Sequence, residues 1–144
     1  MNPAIRPAES SDVPAAHGLL RAASLPTDDL PADLPHFVVL YDQTRLVGLA
    51  GMEYHGPVGL LRSVAVSPEY RSQRLGEKLV GAVLDAAREA GVREAYLITT
   101  TAEAYFRRYG FATVARTDVP EAIGKTSQFN GLCPSTATVM KMTL

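Results

Sequence analysis

The chain has 144 residues, 47% apolar and 20% charged, with a formal net charge of −1. This suits a single domain spanning 1–144 that buries roughly 70% of its unfolded surface, and it argues against a general nucleic-acid binder. The lone cysteine, Cys133, excludes an internal disulfide framework or a Cys-rich zinc cage, and no apolar run approaches a membrane span; a cytoplasmic protein with no metal, nucleic-acid or membrane partner is expected.

In chain order, Ala4 to Arg6 read as a short first strand. Ser11 or Asp12 offers an N-cap, and Pro14 sits early in a helix, where its missing N–H is harmless. Val13, Ala16, Leu19, Leu20 and Ala23 keep helical spacing and predict a helix from about Asp12 to Ala23. The segment SLPTDDLPADLP reads as a loop, either the edge of a substrate pocket or a solvated connection. His36 to Tyr41 is a strand by its β-branched and aromatic content, and Arg45 to Tyr54 returns as its hairpin partner after turn residues. Gly48 and Gly51 within that return strand signal a bulge or a close neighbour. His55-Gly56-Pro57 turns the chain again into a strand from Val58 to Val66.

A basic turn follows: Arg71, Ser72, Gln73, Arg74, Leu75 and Gly76. After it, Leu75, Leu79, Val83 and Ala87 step by four, the apolar stripe of an amphipathic helix that Gly91 ends. Ala95 to Thr99 is a strand, about Thr101 to Tyr109 a short helix, and Phe111 to Val114 a strand. Pro120 to Gln128 reads as a helical turn and Thr136 to Met142 as a final strand. A helix that joins the strands at 58–66 and 95–99 makes those two parallel, so the sheet is mixed.

Strand, basic turn and helix start together make an anion site. The first helical N–H groups have no partner within the helix, and the macrodipole favours negative charge there. Neither a phosphate loop of the GxxxxGK[ST] kind nor a dinucleotide fingerprint is present. The pair SPEYRSQRLGEKLV and AEAYFRRYGF instead resembles the two signature motifs of the GNAT superfamily of acetyl-CoA-dependent N-acetyltransferases. That family's turn reads Gln/Arg-x-x-Gly-x-Gly/Ala. Arg71 and Gly76 match its ends, and Arg74 replaces the middle glycine. Ala102, Tyr105, Phe106, Gly110 and Phe111 occupy the places of the second motif.

The resemblance implies an α/β (α+β) GNAT fold, a mixed, mostly antiparallel sheet of about six or seven strands flanked by helices on both faces. It implies acetyl-CoA as co-substrate and direct attack of a small-molecule amine on the thioester. By the same resemblance, residues 71–76 hold the coenzyme's pyrophosphate, Val64, Ala65 and Val66 bond the pantetheine arm, and Tyr105 and Phe106 lie on the coenzyme side. Val66 N–H would polarise the thioester carbonyl. A homodimer is compatible with the family.

Two departures bear on the chemistry. Phe106 stands where the family has its acid tyrosine, and Arg62 stands where many relatives have a glutamate base. Arg62 is either a salt-bridge residue or an anchor for an anionic acceptor. Glu53 and His55 share one face of their strand and are the base candidates, against ordinary roles at a hairpin end. The stretches LLRSVAV, LITTTAEAYF and FNGLCPSTA further resemble a small branch of the superfamily associated with arsenic-resistance operons, in which Cys133 would touch substrate or arsenic; a small buried apolar role is the alternative. Two other functions stay open: a coenzyme-A-binding sensor or partner protein without catalysis, and a protein N-acetyltransferase.

Overall fold

Runs of β-branched and aromatic residues become strands in the computed structural model, which describes residues 3–25, 27–126, 129 and 137–144. Among these, the strands are β1 (Ala4–Pro7), β2 (Phe37–Asp42), β3 (Arg45–His55), β4 (Val58–Val66), β5 (Glu94–Thr99), β6 (Ala112–Val114) and β7 (Thr138–Thr143). The helices are α1 (Val13–Ala22), α2 (Leu75–Glu89), α3 (Glu103–Tyr109) and α4 (Glu121–Gly124). The strands hydrogen-bond in the order β1-β2-β3-β4-β5-β7-β6. β4 and β5 run parallel, as the α2 crossover requires, while β1–β2, β2–β3, β5–β7 and β6–β7 are antiparallel. The expected mixed, mostly antiparallel GNAT sheet is observed.

Two compact units divide the chain, one comprising Met1–Met52 and Ser63–Ala86, the other Glu53–Arg62 and Ala87–Leu144. In the first, strand alternation sends neighbouring residues to opposite faces. Val39 pairs with Leu49, and both pack in one cluster with Ala16 and Leu20 of α1. Their neighbours Leu40 and Gly48 also pair, and a Cβ built on Gly48 would lie 2.8 Å from Leu79 of α2. Helices therefore cover both faces of this part of the sheet. Gly51 has a similar reason: a Cβ there would come within 2.3 Å of the Phe37 ring. Both strand glycines answer to close neighbours, while the register shift falls between Leu40 and Tyr41, skipping Val47.

The entry to α1 is more elaborate than the spacing predicts. Ser10–Asp12 form a 3-10 turn, and α1 begins at Val13. Asp12 does not cap α1 with its side chain. Its carboxylate instead accepts from both Arg6 Nη atoms at 3.0 Å, from the Glu9 N–H at 2.8 Å and from the Tyr41 hydroxyl at 2.7 Å. Burial pushes this carboxyl up, but the Arg6, Tyr41 and Glu9 donors outweigh it and hold the pKa at about 2.

In the second unit Val58, Leu60, Tyr96 and Ile123 form a core against which Val114, Val119 and Phe129 pack. β5 pairs with β7 along its whole length, from Glu94↔Thr143 to Thr99↔Thr138. Its parallel register with β4 covers only Val58↔Glu94, Gly59↔Ala95 and Leu60↔Tyr96. Gly110, at φ 127°, stops α3 after Tyr109. The expected helical turn from Pro120 is α4, which ends at Gly124; Arg116–Asp118 form a 3-10 turn without a sequence signal. Cys133 and most of FNGLCPSTA, other than Phe129 and Ala137, lie outside the described residues.

Candidate functional site

The basic segment is not the open turn that its composition suggests. Pro68–Gln73 wind as a 3-10 helix, and α2 begins at Leu75, so Leu75 and Gly76 belong to the first helical turn. Between the two helical segments sits Arg74, in the left-handed region at φ 57° and ψ 24°. That conformation favours glycine, because a Cβ crowds the following carbonyl. The side chain that replaces the family's middle glycine is thus carried at a strained position. The bond from Lys78 N–H to Arg74 O (3.4 Å) opens the α2 ladder, and the N–H groups before it have no partner inside the helix. Ser72 and Gln73 lie in the 3-10 segment by their backbone.

Three ties fix this segment to the β2–β3 hairpin. The Tyr70 hydroxyl donates to Asp42 Oδ2, Arg45 Nη1 meets Glu69 Oε2 at 2.8 Å, and Ser67 N–H donates to Val47 O at 2.8 Å. The Asp42 bond, with burial behind it, raises the Tyr70 phenol above its usual range. A single buried aromatic in an otherwise polar run, PEYRSQR, was the available sequence signal for this anchor. The exposed Arg71 is partly engaged by the end of β4, Nε donating to Val66 O at 2.9 Å.

Within β4, Ser63 has a left-handed φ of 58°, so the strand bends immediately before Val64. Val64 is half-buried, and Ala65 and Val66 are buried. All three lie beyond the parallel register, which ends at Leu60↔Tyr96.

Glu53, His55 and Arg62 come together. Arg62 Nη1 donates to Glu53 Oε2 at 2.7 Å, and His55 Nε2 lies 3.2 Å from Glu53 Oε1. The Arg62 side chain is 1% exposed, those of Glu53 and His55 23% and 29%. The salt-bridge reading of Arg62 is therefore observed, with the guanidinium buried. Glu53 holds a cation on one oxygen and a ring nitrogen on the other.

On α3, Phe106 is buried at 7% exposure, edge-on to Tyr105 (centroids 5.0 Å, 84°) and to Phe111 (5.8 Å, 74°). It is a packing residue with no proton to give. Tyr109 tilts against Phe111 at 6.5 Å. Among the described residues, no group of three or more His, Cys, Asp or Glu side chains could hold a metal ion, and no helix is long and apolar enough to cross a membrane.

The model of the acetyltransferase (GNAT) family matches residues 5–111. The chain belongs to the GNAT family. This GNAT chain is 26% identical over 136 residues to the amino-acid acetyltransferase of Neisseria meningitidis serogroup A, an alignment covering 88% of this chain and 31% of that protein. Over 95 residues it is 30% identical to the amino-acid acetyltransferase of Yersinia pestis bv. Antiqua, covering 64% of this chain and 21% of the relative. It thus spans about a third or less of the curated relatives it matches. The fold superposes with a TM-score of 0.85 on N-acetylglutamate synthase from Neisseria gonorrhoeae complexed with coenzyme A and N-acetyl-glutamate, at 24% identity over 100% of this chain and 35% of that one. With a Mycobacterium tuberculosis protein crystallised with CoA, the TM-score is 0.80 at 23% identity, covering 98% and 99% of the two chains.

Proposed function

We propose that the chain transfers the acetyl group of acetyl-CoA to the amine of a small molecule, by direct attack of the amine on the thioester. The observation that carries this reading is the GNAT match over residues 5–111, which includes both the basic segment and α3. The segment's geometry supports it. The first-turn N–H groups of α2, which have no partner within the helix, stand beside Arg74 and Arg71 in sequence, a set of donors suited to a pyrophosphate. The backbone of Val64–Val66, beyond the β4–β5 register, is where a pantetheine arm would add as a strand. Tyr105 and Phe106 would lie on the coenzyme side of α3.

Glu53 and His55 supply the proton acceptor, directly or through water. The substrate ammonium loses one proton to that pair, the free amine attacks the carbonyl carbon, and the carbon–sulfur bond breaks. The proton shed by nitrogen on collapse reaches the departing thiolate through water, because Phe106 has no proton to donate. The names of the curated relatives support an amino acid as acceptor, and coenzyme A in the structural neighbours supports the donor.

The test is release of free thiol from acetyl-CoA with a panel of amino acids and simple amines, with mass spectrometry of the product. Release with at least one acceptor is expected. Coenzyme binding by calorimetry with no release on any amine would favour the second reading, a non-catalytic coenzyme A sensor, which Phe106 in the place of the tyrosine supports.

A further inference from the structure

The sequence offers Arg62 two roles, and the cluster around it decides between them in a way that bears on the acceptor. A residue that anchors a substrate carboxylate presents its guanidinium to the acceptor. Arg62 does not have that setting: its side chain is 1% exposed and Nη1 is 2.7 Å from Glu53 Oε2. The other Glu53 oxygen faces His55 Nε2 at 3.2 Å. The carboxylate is therefore gripped from both sides, by a donor that is always charged and by an imidazole.

We infer that Arg62 is a positioning residue: its guanidinium fixes the Glu53 carboxylate, which fixes the ring orientation and the Nε2–H tautomer of His55, and no carboxylate of the acceptor binds to Arg62. The inference rests on the acetyltransferase reading. It deepens that reading by making the site one that recognises the acceptor as an amine. An amino-acid acceptor would have its carboxylate held by other groups. Glu53 then acts as the orienting member of a carboxylate–histidine pair, with Nδ1 as the remaining lone pair on the ring.

The experiment compares Arg62→Ala, Arg62→Lys, Glu53→Gln and the double variant Arg62→Ala/Glu53→Gln. Acceptors are an α-amino acid and the matching amine without its carboxylate. A positioning role predicts that Arg62→Ala lowers kcat by roughly 10- to 100-fold with both acceptors. KM would move alike for the two, Arg62→Lys would restore part of kcat, and the Arg62→Ala loss would largely vanish in the Glu53→Gln background. A KM rise confined to the carboxylate-bearing acceptor, or losses that add in the double variant, would overturn the inference. Arg62→Lys keeps the buried charge and guards against a variant that does not fold, as checked by thermal melting.

A second readout needs no turnover. In 15N NMR, with the His55 ring signals assigned through His55→Gln, the wild type shows a dominant Nε2–H tautomer, and Glu53→Gln and Arg62→Lys both shift the tautomer balance. No change in either variant would overturn the chain of positioning. If no amine is acetylated but the tautomer shifts appear, the acetyltransferase reading fails while the positioning of His55 through Glu53 by Arg62 stands.

Discussion

Arg74 is a side chain at a position whose backbone asks for glycine. Its φ of 57° links the 3-10 segment Pro68–Gln73 to α2, and a non-glycine residue there carries strain on the order of 1 kcal/mol. Two functions meet in the residue, a backbone reversal and a positive charge at a helix start. Two variants separate them. Arg74→Gly relieves the strain at some cost in unfolded-chain entropy, whereas Arg74→Ala keeps the strain. Both remove the charge. Arg74→Gly should therefore melt at or above the temperature of Arg74→Ala. Both should raise KM for acetyl-CoA by about tenfold, the worth of one charge-assisted hydrogen bond to a phosphate. Thermal melts and steady-state kinetics on the pair are sufficient. An unchanged KM in both would leave the helix N–H groups as the phosphate donors.

At the scale of elements, the hairpin β2–β3 is the support of the basic segment between β4 and α2. Asp42 closes β2, Arg45 opens β3, and each holds one residue of the 3-10 segment, Tyr70 and Glu69. The Arg45–Glu69 pair is exposed on both sides and contributes little by itself. Tyr70 is the buried anchor. Tyr70→Phe keeps the ring and deletes the donor to Asp42, so it should lower the melting temperature and raise KM for acetyl-CoA while leaving kcat nearly unchanged. A kcat loss with KM unmoved, in the same steady-state assay, would place Tyr70 in the chemistry instead. Beyond the lone aromatic in PEYRSQR, this support was not legible in the sequence, because side chains that meet across a turn and a hairpin end carry no periodicity. What was legible had a period: the step of four along Leu75, Leu79, Val83 and Ala87, and the β-branched runs that became β2 to β5. The segment 71–76 reads as a turn because its residues are polar, yet tertiary ties through Tyr70 and Ser67 wind most of it into helix. Glu53, His55 and Arg62 were visible as residue types on strands, but only the fold joins them through one carboxylate.

For the whole molecule, acid stability gives the last expectation. Asp12 joins three elements: Arg6 comes from β1, Tyr41 from β2, and Glu9 and Asp12 itself from the entry to α1. Its carboxyl sits at about 2 in the fold, against 3.8 for an ordinary aspartate. The depressed folded value means that the unfolded chain takes up the proton first as pH falls. The stabilisation is present in full above pH 4, and it is lost as pH drops from 4 through 2. The difference corresponds to about 2 kcal/mol at neutral pH. Asp12→Asn should therefore reduce the free energy of unfolding by about that amount at pH 7. The gap between variant and wild type should narrow steadily below pH 4. Every other carboxylate is common to both proteins, so their difference isolates Asp12 even though both unfold more readily in acid. Urea titrations at pH 7, 4, 3 and 2.5 read it directly. A gap that stays constant across that range would mean that Asp12 stabilises the chain by shape and hydrogen bonding alone, with its charge playing no part.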